Sequence, residues 1–216
     1  MPELRALVVD WGGVLTEPLE DAMRAWAEVD GIDFEHYVGV MRSWLGDHQS
    51  DLAVTNPVAA LERGEIEVPQ FEQELASRLS AATGTALRAE GLLQRMFDRF
   101  EDAPAMSALV LRARRAGLRT GLLSNSWGNT YPREGWDDMF DAIVISGEVG
   151  MRKPEPEIFA HALDLLGVEA AETVFVDDLR PNVEAAEVLG IVGVHHTSYD
   201  DTATELERLF GIALRD

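Results

Sequence analysis

Five short stretches are almost continuously apolar: Leu4 to Asp10, Thr120 to Ser124, Asp141 to Ser146, Thr173 to Asp178 and Ile191 to His195. Runs of this length without polar alternation predict strands buried on both faces. Between them the apolar period changes to that of a helix. In Pro104 to Ala116, Met106, Leu109, Val110 and Ala113 fall on one face, with Pro104 near the first turn and Gly117 as a stop. Pro156 to Leu166 and Pro181 to Leu189 repeat the scheme, ended by Gly167 and Gly190. Strands alternating with helices predict an α/β fold: a Rossmann-like, doubly wound parallel sheet.

The interval from about Thr16 to Phe97 breaks this alternation, since it holds helical patterns and no strand. Phe34, Tyr37, Val38, Met41 and Leu45 keep helical spacing up to Gly46. Asn56-Pro57 reads as a cap and first turn, Gly64 as a stop, and Phe71, Leu75 and Leu79 mark a further helix. The expected division is an α/β core of residues 1–16 and 98–216 with an inserted α-helical cap of residues 17–97. Repeats and low-complexity tracts are absent.

Composition narrows the function classes. The formal net charge is −21 over 216 residues, a field that repels nucleic acid and anionic membrane surfaces. There is no cysteine, which removes disulfides and thiolate metal sites. Met1-Pro2-Glu3 lacks the basic and apolar regions of a signal peptide, so a cytoplasmic location is expected. Arginine supplies nearly all the positive charge, and Lys153 is the sole lysine.

In an open parallel sheet, ligands bind beyond the carboxyl ends of the strands. Asp10, Ser124-Asn125 and Asp177-Asp178 all fall there, and Lys153 lies in the loop after the strand ending at Ser146. Taken singly each has an ordinary explanation: a turn former before glycines, a helix cap, an acidic helix start, a solvated charge. Together they bring a nucleophile, donors for phosphoryl oxygens and acidic ligands for a hard cation to one edge.

The ordered set Asp10-Trp11-Gly12-Gly13-Val14-Leu15, Leu123-Ser124-Asn125-Ser126, Gly150-Met151-Arg152-Lys153-Pro154 and Val176-Asp177-Asp178 resembles the four motifs of the haloacid dehalogenase-like superfamily. Ser124 to Trp127, Met151 to Phe159 and Val174 to Asn182 look most like the capped phosphatases of subfamily I, the group of the soluble epoxide hydrolase phosphatase domains. The resemblance implies a hydrolase of phosphate monoesters acting on a small phosphorylated metabolite. Asp10 would attack phosphorus to form an aspartyl-phosphate. Mg²⁺ would be held by the Asp10 carboxylate, the Gly12 carbonyl and Asp178, with Asp177 acting nearby through water. Trp11, Ser124, Asn125 and Lys153 would line the phosphate, and Lys153 would also separate Asp10 from the other carboxylates. A homodimer is compatible with the resemblance; nucleic acid and membrane are not expected partners.

One position departs from the family pattern. The residue two after the nucleophile is usually an aspartate that protonates the leaving group, and here it is Gly12. A contribution of about a hundredfold to ten-thousandfold in rate is therefore missing or supplied elsewhere. A glycine held at positive φ there would resist any side chain. Two alternatives stay open: a 2-haloacid dehalogenase-type hydrolase, whose family usually has Tyr at this place, and a catalytically weak binder of phosphorylated metabolites. A phosphonoacetaldehyde hydrolase would need a cap lysine, and residues 17–97 contain none. Trp26, Trp44, His36 and His48 are candidate pocket residues, although aromatic side chains at helical spacing more often form core. His195 and His196 are strand neighbours facing opposite sides, so one ion cannot readily take both.

Overall fold

A computed structural model describes residues 3–45, 56–84, 86–128 and 130–215. Gly46 and His48 lie outside the described residues. In chain order the elements are β1 (Ala6–Val9), α1 (Leu19–Asp30), α2 (Phe34–Leu45), α3 (Pro57–Glu62), α4 (Val68–Thr83), α5 (Leu92–Phe97), α6 (Pro104–Arg115), β2 (Arg119–Ser124), α7 (Trp136–Met139) and β3 (Ala142–Ile145). They continue with α8 (Ser146–Val149), α9 (Pro156–Leu166), a 3₁₀ turn at Ala170–Glu172, β4 (Thr173–Asp177), α10 (Arg180–Val188), β5 (Val192–His195) and α11 (Tyr199–Phe210).

The five strands form one parallel sheet in the order β3-β2-β1-β4-β5. Successive residues of β1 serve opposite faces. Leu7 and Val9 pack into a cluster with Met106 and Leu109 of α6 and Leu206 of α11, while Val8 joins Ile158 and Phe159 of α9 and Ala186 of α10. Helices therefore cover both sides, which is why all five strands read as unbroken apolar runs. No described helix is long and apolar enough to cross a membrane.

Helices α1 to α5 share a separate apolar cluster that includes Trp26, Tyr37, Phe71, Leu75, Leu92 and Met96. Local chemistry sets their ends. The Asn56 side chain accepts from the amides of Val58 and Ala59 at 3.0 and 3.1 Å, satisfying two orphan donors of α3, and Pro57 takes the first helical position. Gly31 closes α1 in the left-handed conformation. At the first strand end, positive φ falls on Gly13, at +70°, and not on Gly12. The expected backbone obstacle at Gly12 is thus absent: a Cβ there would meet Leu19 Cδ1 at 3.2 Å, the far end of a side chain.

Candidate active site

Register determines what meets at the sheet edge. Val9 pairs with Leu122 on one side and Val176 on the other, so Asp10 leaves the central strand between the ends of β2 and β4. The Asp10 amide donates to the Val176 carbonyl at 2.9 Å, carrying the ladder one residue further. Its carboxylate Oδ1 accepts from the Trp11 amide at 2.7 Å and lies 2.9 Å from Lys153 Nζ. Asp10 Oδ2 makes no hydrogen bond among the described residues.

Lys153 is 1% exposed and bridges two carboxylates, donating to Asp177 Oδ2 at 2.6 Å as well as pairing with Asp10. Its backbone is fixed by Asn125: the Lys153 amide donates to Asn125 Oδ1 at 2.9 Å, and Asn125 Nδ2 donates back to the Lys153 carbonyl at 3.0 Å. Burial alone would lower the ammonium pKa, but Asp10 and Asp177 outweigh it and hold Lys153 above the ordinary lysine range. Asp177 accepts further bonds from the Leu179 amide at 2.8 Å and from Asn182 Nδ2 at 3.0 and 3.1 Å. The sequence placed Asp177 near the site through water; its direct engagement is with Lys153.

Among the described residues, Asp10, Asp177 and Asp178 each offer an oxygen within 4.8 Å of the others. Burial pushes Asp10 up to about 7 against the pull of Lys153, with Asp177 and Asp178 adding to the rise. Burial, then Asp177, raises Asp178 to about 6. Three carboxylates facing one ammonium are short of positive charge, and the donor set is all oxygen, the chemistry that suits a hard divalent cation. Gly13 makes room for it to form: a Cβ there would come within 2.5 Å of Asp178 Oδ2. His195 Nε2 lies 2.9 Å from the Asp178 carbonyl and His196 Nδ1 lies 2.8 Å from Thr202 Oγ1, so the two histidines take separate structural partners.

Above this floor is a cavity of about 580 Å³, reached by Asp10, Trp11, Gly12, Ser124, Asn125, Lys153 and Asp178. Its walls come from the helical insert and are largely apolar: Leu19, Met23, Phe34, Val38, Met41 and Phe97. Ser124, buried at the end of β2, shares a 3.0 Å hydrogen bond with the Tyr131 hydroxyl. Trp11 packs edge-on against Tyr131, with centroids 4.9 Å apart. Trp26 and Trp44 belong to the insert's apolar cluster and do not line this cavity, and His36 turns towards the Arg78 carbonyl. Sequence reading missed Tyr131, Asn182 and, on the cavity wall, Glu62, Trp127 and Arg152. Trp127, Arg152 and Asn182 lie inside the quoted motif stretches but were given no role there; nothing local marks Glu62 except a carboxylate closing an otherwise apolar helix.

A profile of the haloacid dehalogenase-like hydrolases matches residues 4–190. The sesquiterpene phosphatase astK of Aspergillus oryzae is 35% identical over 159 residues, covering 69% of this chain and 77% of that protein. Bifunctional epoxide hydrolase 2 of Sus scrofa is 27% identical over 226 residues; the match spans 98% of this chain but only 40% of the pig protein's length. Among solved structures, the HAD family enzyme BT-2542 of Bacteroides thetaiotaomicron, as an Asp-to-Ala mutant with magnesium and inorganic phosphate, shares the fold at a TM-score of 0.63. It is 23% identical, with 90% of this chain and 94% of that one covered.

Proposed function

The chain belongs to the haloacid dehalogenase-like hydrolase family, and from that premise we propose that it hydrolyses phosphate monoesters through an aspartyl-phosphate on Asp10. The observation that carries this reading is the convergence of Asp10, Ser124, Lys153 and Asp178 from four strand ends on one cavity floor. Asp10 Oδ1 is pinned by the Trp11 amide and Lys153, which leaves Oδ2 for attack on phosphorus. The ester oxygen departs as the new oxygen–phosphorus bond forms. Water then attacks the aspartyl-phosphate, releasing orthophosphate and regenerating the carboxylate. Lys153 and Ser124 hold the phosphoryl oxygens, and Lys153 keeps Asp177 from repelling the incoming anion. Asp10, Asp178 and the Gly12 carbonyl would hold Mg²⁺, with Asp177 behind them; when bound, the ion neutralises charge on the phosphoryl group. The BT-2542 complex with magnesium and phosphate supports that choice.

We further read residues 17–97 as a cap that selects the organic part of the substrate. The apolar walls favour an ester with an apolar group over a sugar phosphate, and the name of the astK relative supports the same class. A second reading, slow turnover by a binder of phosphorylated metabolites, draws on Gly12 alone, which brings no acid to the leaving group. The test is a panel of p-nitrophenyl phosphate, alkyl phosphates and sugar phosphates with and without Mg²⁺. Turnover should require the metal, favour apolar esters and fall about a thousandfold or more in Asp10→Asn. Retained activity in that variant would remove the covalent mechanism.

A further inference from the structure

Helix α3 carries the sequence Pro57-Val58-Ala59-Ala60-Leu61-Glu62, apolar throughout until its final residue. Glu62 is 6% exposed and sits at the helix carboxyl end, where the backbone dipole disfavours a negative charge. Its burial there requires partners, and it has two. Oε1 accepts from Trp127 Nε1 at 3.0 Å, and Oε2 accepts from Arg152 Nε of a side chain 9% exposed. The adjoining Arg63 pairs with Glu155, which also receives the Arg152 amide at 3.4 Å. Replacing a buried ion pair by apolar groups of similar volume is often neutral or stabilising, so its presence here calls for a reason other than stability.

The positions of the partners supply one. Trp127 follows Ser124-Asn125-Ser126 in the loop after β2, and Arg152 immediately precedes Lys153 in the loop after α8. These loops carry the groups assigned above to the phosphoryl oxygens. They are joined to each other by the two bonds between the Asn125 side chain and the Lys153 backbone. A single carboxylate of the helical insert thus spans both loops, and Glu62, Trp127 and Arg152 all face the cavity. We propose that Glu62 is a positioning residue: it sets Ser124 and Lys153 at their working separation and makes the grip on phosphate conditional on the seating of α3. This rests on the phosphatase reading. It concerns the phosphoryl end of the substrate rather than the organic end, so its effect is independent of the leaving group.

The test compares Glu62→Gln, Glu62→Asp and the double variant E62L/R152M with the parent. The readouts are kcat, KM, thermal stability and orthophosphate affinity by calorimetry in Mg²⁺. Misplacement of a reacting group by about an ångström costs about a hundredfold, so Glu62→Gln should lose roughly tenfold to a hundredfold in kcat/KM, equally for aryl and alkyl esters. Orthophosphate affinity should weaken in step, and Glu62→Asp, which keeps the charge, should recover part of both. The double variant, with no charge left unpaired, should regain the parent's thermal stability and remain slow. A double variant with the parent's kcat and phosphate affinity would reduce the pair to packing and overturn the proposal, as would unchanged kinetics in Glu62→Gln. A parent that binds orthophosphate but cleaves no ester overturns the hydrolase reading and leaves the affinity comparison to decide on Glu62. A parent that does neither overturns both.

Discussion

Just beneath the floor of the cavity the two oxygens of Asp177 are shared among Lys153, Asn182 and the Leu179 amide, whereas the walls from α1, α2 and α5 present mainly carbon. The floor is fixed by directional bonds and by strand register, so each group there has one place to be. The walls are held by apolar packing, which tolerates exchange of side chains when volume is kept, typically for less than about 1.5 kcal/mol. If, as proposed, chemistry belongs to the floor and selection to the walls, the two should fail differently under mutation: the floor abruptly, the walls by degrees.

The largest expected gain lies where the two meet. Gly12→Asp adds the acid that the floor lacks; its Cβ would displace only the end of Leu19, and the added carboxylate joins Asp10, Asp177 and Asp178, so its effect is read in Mg²⁺. Alkyl-phosphate turnover should rise by up to about a hundredfold while aryl turnover, with its better leaving group, changes little. Steady-state rates on both esters measure this, and an unchanged ratio in a folded variant would mean that proton supply does not limit the enzyme. Gly13→Ala is the contrasting substitution. It puts a Cβ 2.5 Å from Asp178 Oδ2 at a φ of +70°, and metal-dependent activity should be lost.

The next effect probes the floor without substrate. Asp10 and Asp178 hold their protons to about 7 and about 6 in the folded chain, against 3.8 ordinarily. The folded state then binds more protons than the unfolded one between these values, so the contribution of these two carboxyls to the stability of the metal-free protein should be full below about pH 4 and be lost as pH rises towards 7. Mg²⁺ needs the ionised carboxylates, and its stabilisation should grow over the same window, to about 2.7 kcal/mol at a hundred times Kd. Melting curves across pH with and without Mg²⁺ read both trends. If Asp178→Ala shows the parent's metal shift, the cation is held elsewhere.

The smallest effect belongs to the wall. Phe97→Ala should raise KM for an apolar ester roughly tenfold and leave kcat and the KM for a small phosphate unchanged. A matching loss on the small substrate would show that the wall also shapes the floor.

The same division explains what could be read from the sequence. Five apolar runs anticipated five strands, and strand ends carry their polar residues in sequence order, so Asp10, Ser124, Lys153 and Asp178 were legible as a group. Pro156 and Gly167 bracketed α9 correctly because capping chemistry is local. Glu62 and Arg152 meet 90 residues apart across two elements, and no local periodicity encodes such a pairing. Gly12 and Gly13 were indistinguishable as letters; only the turn geometry assigns positive φ to the second.

Lys153 carries the one side-chain amine in this sequence, and the fold seals it at 1% exposure between two carboxylates. An amine-directed acylating reagent therefore has a single side-chain target, protonated and out of reach while the sheet edge is intact. Acylation at that position becomes a count of how often the β3-side loop lifts from the β1 and β4 ends. Mass spectrometry of one peptide would follow the local opening of the cavity floor, separately from the unfolding of the rest of the chain.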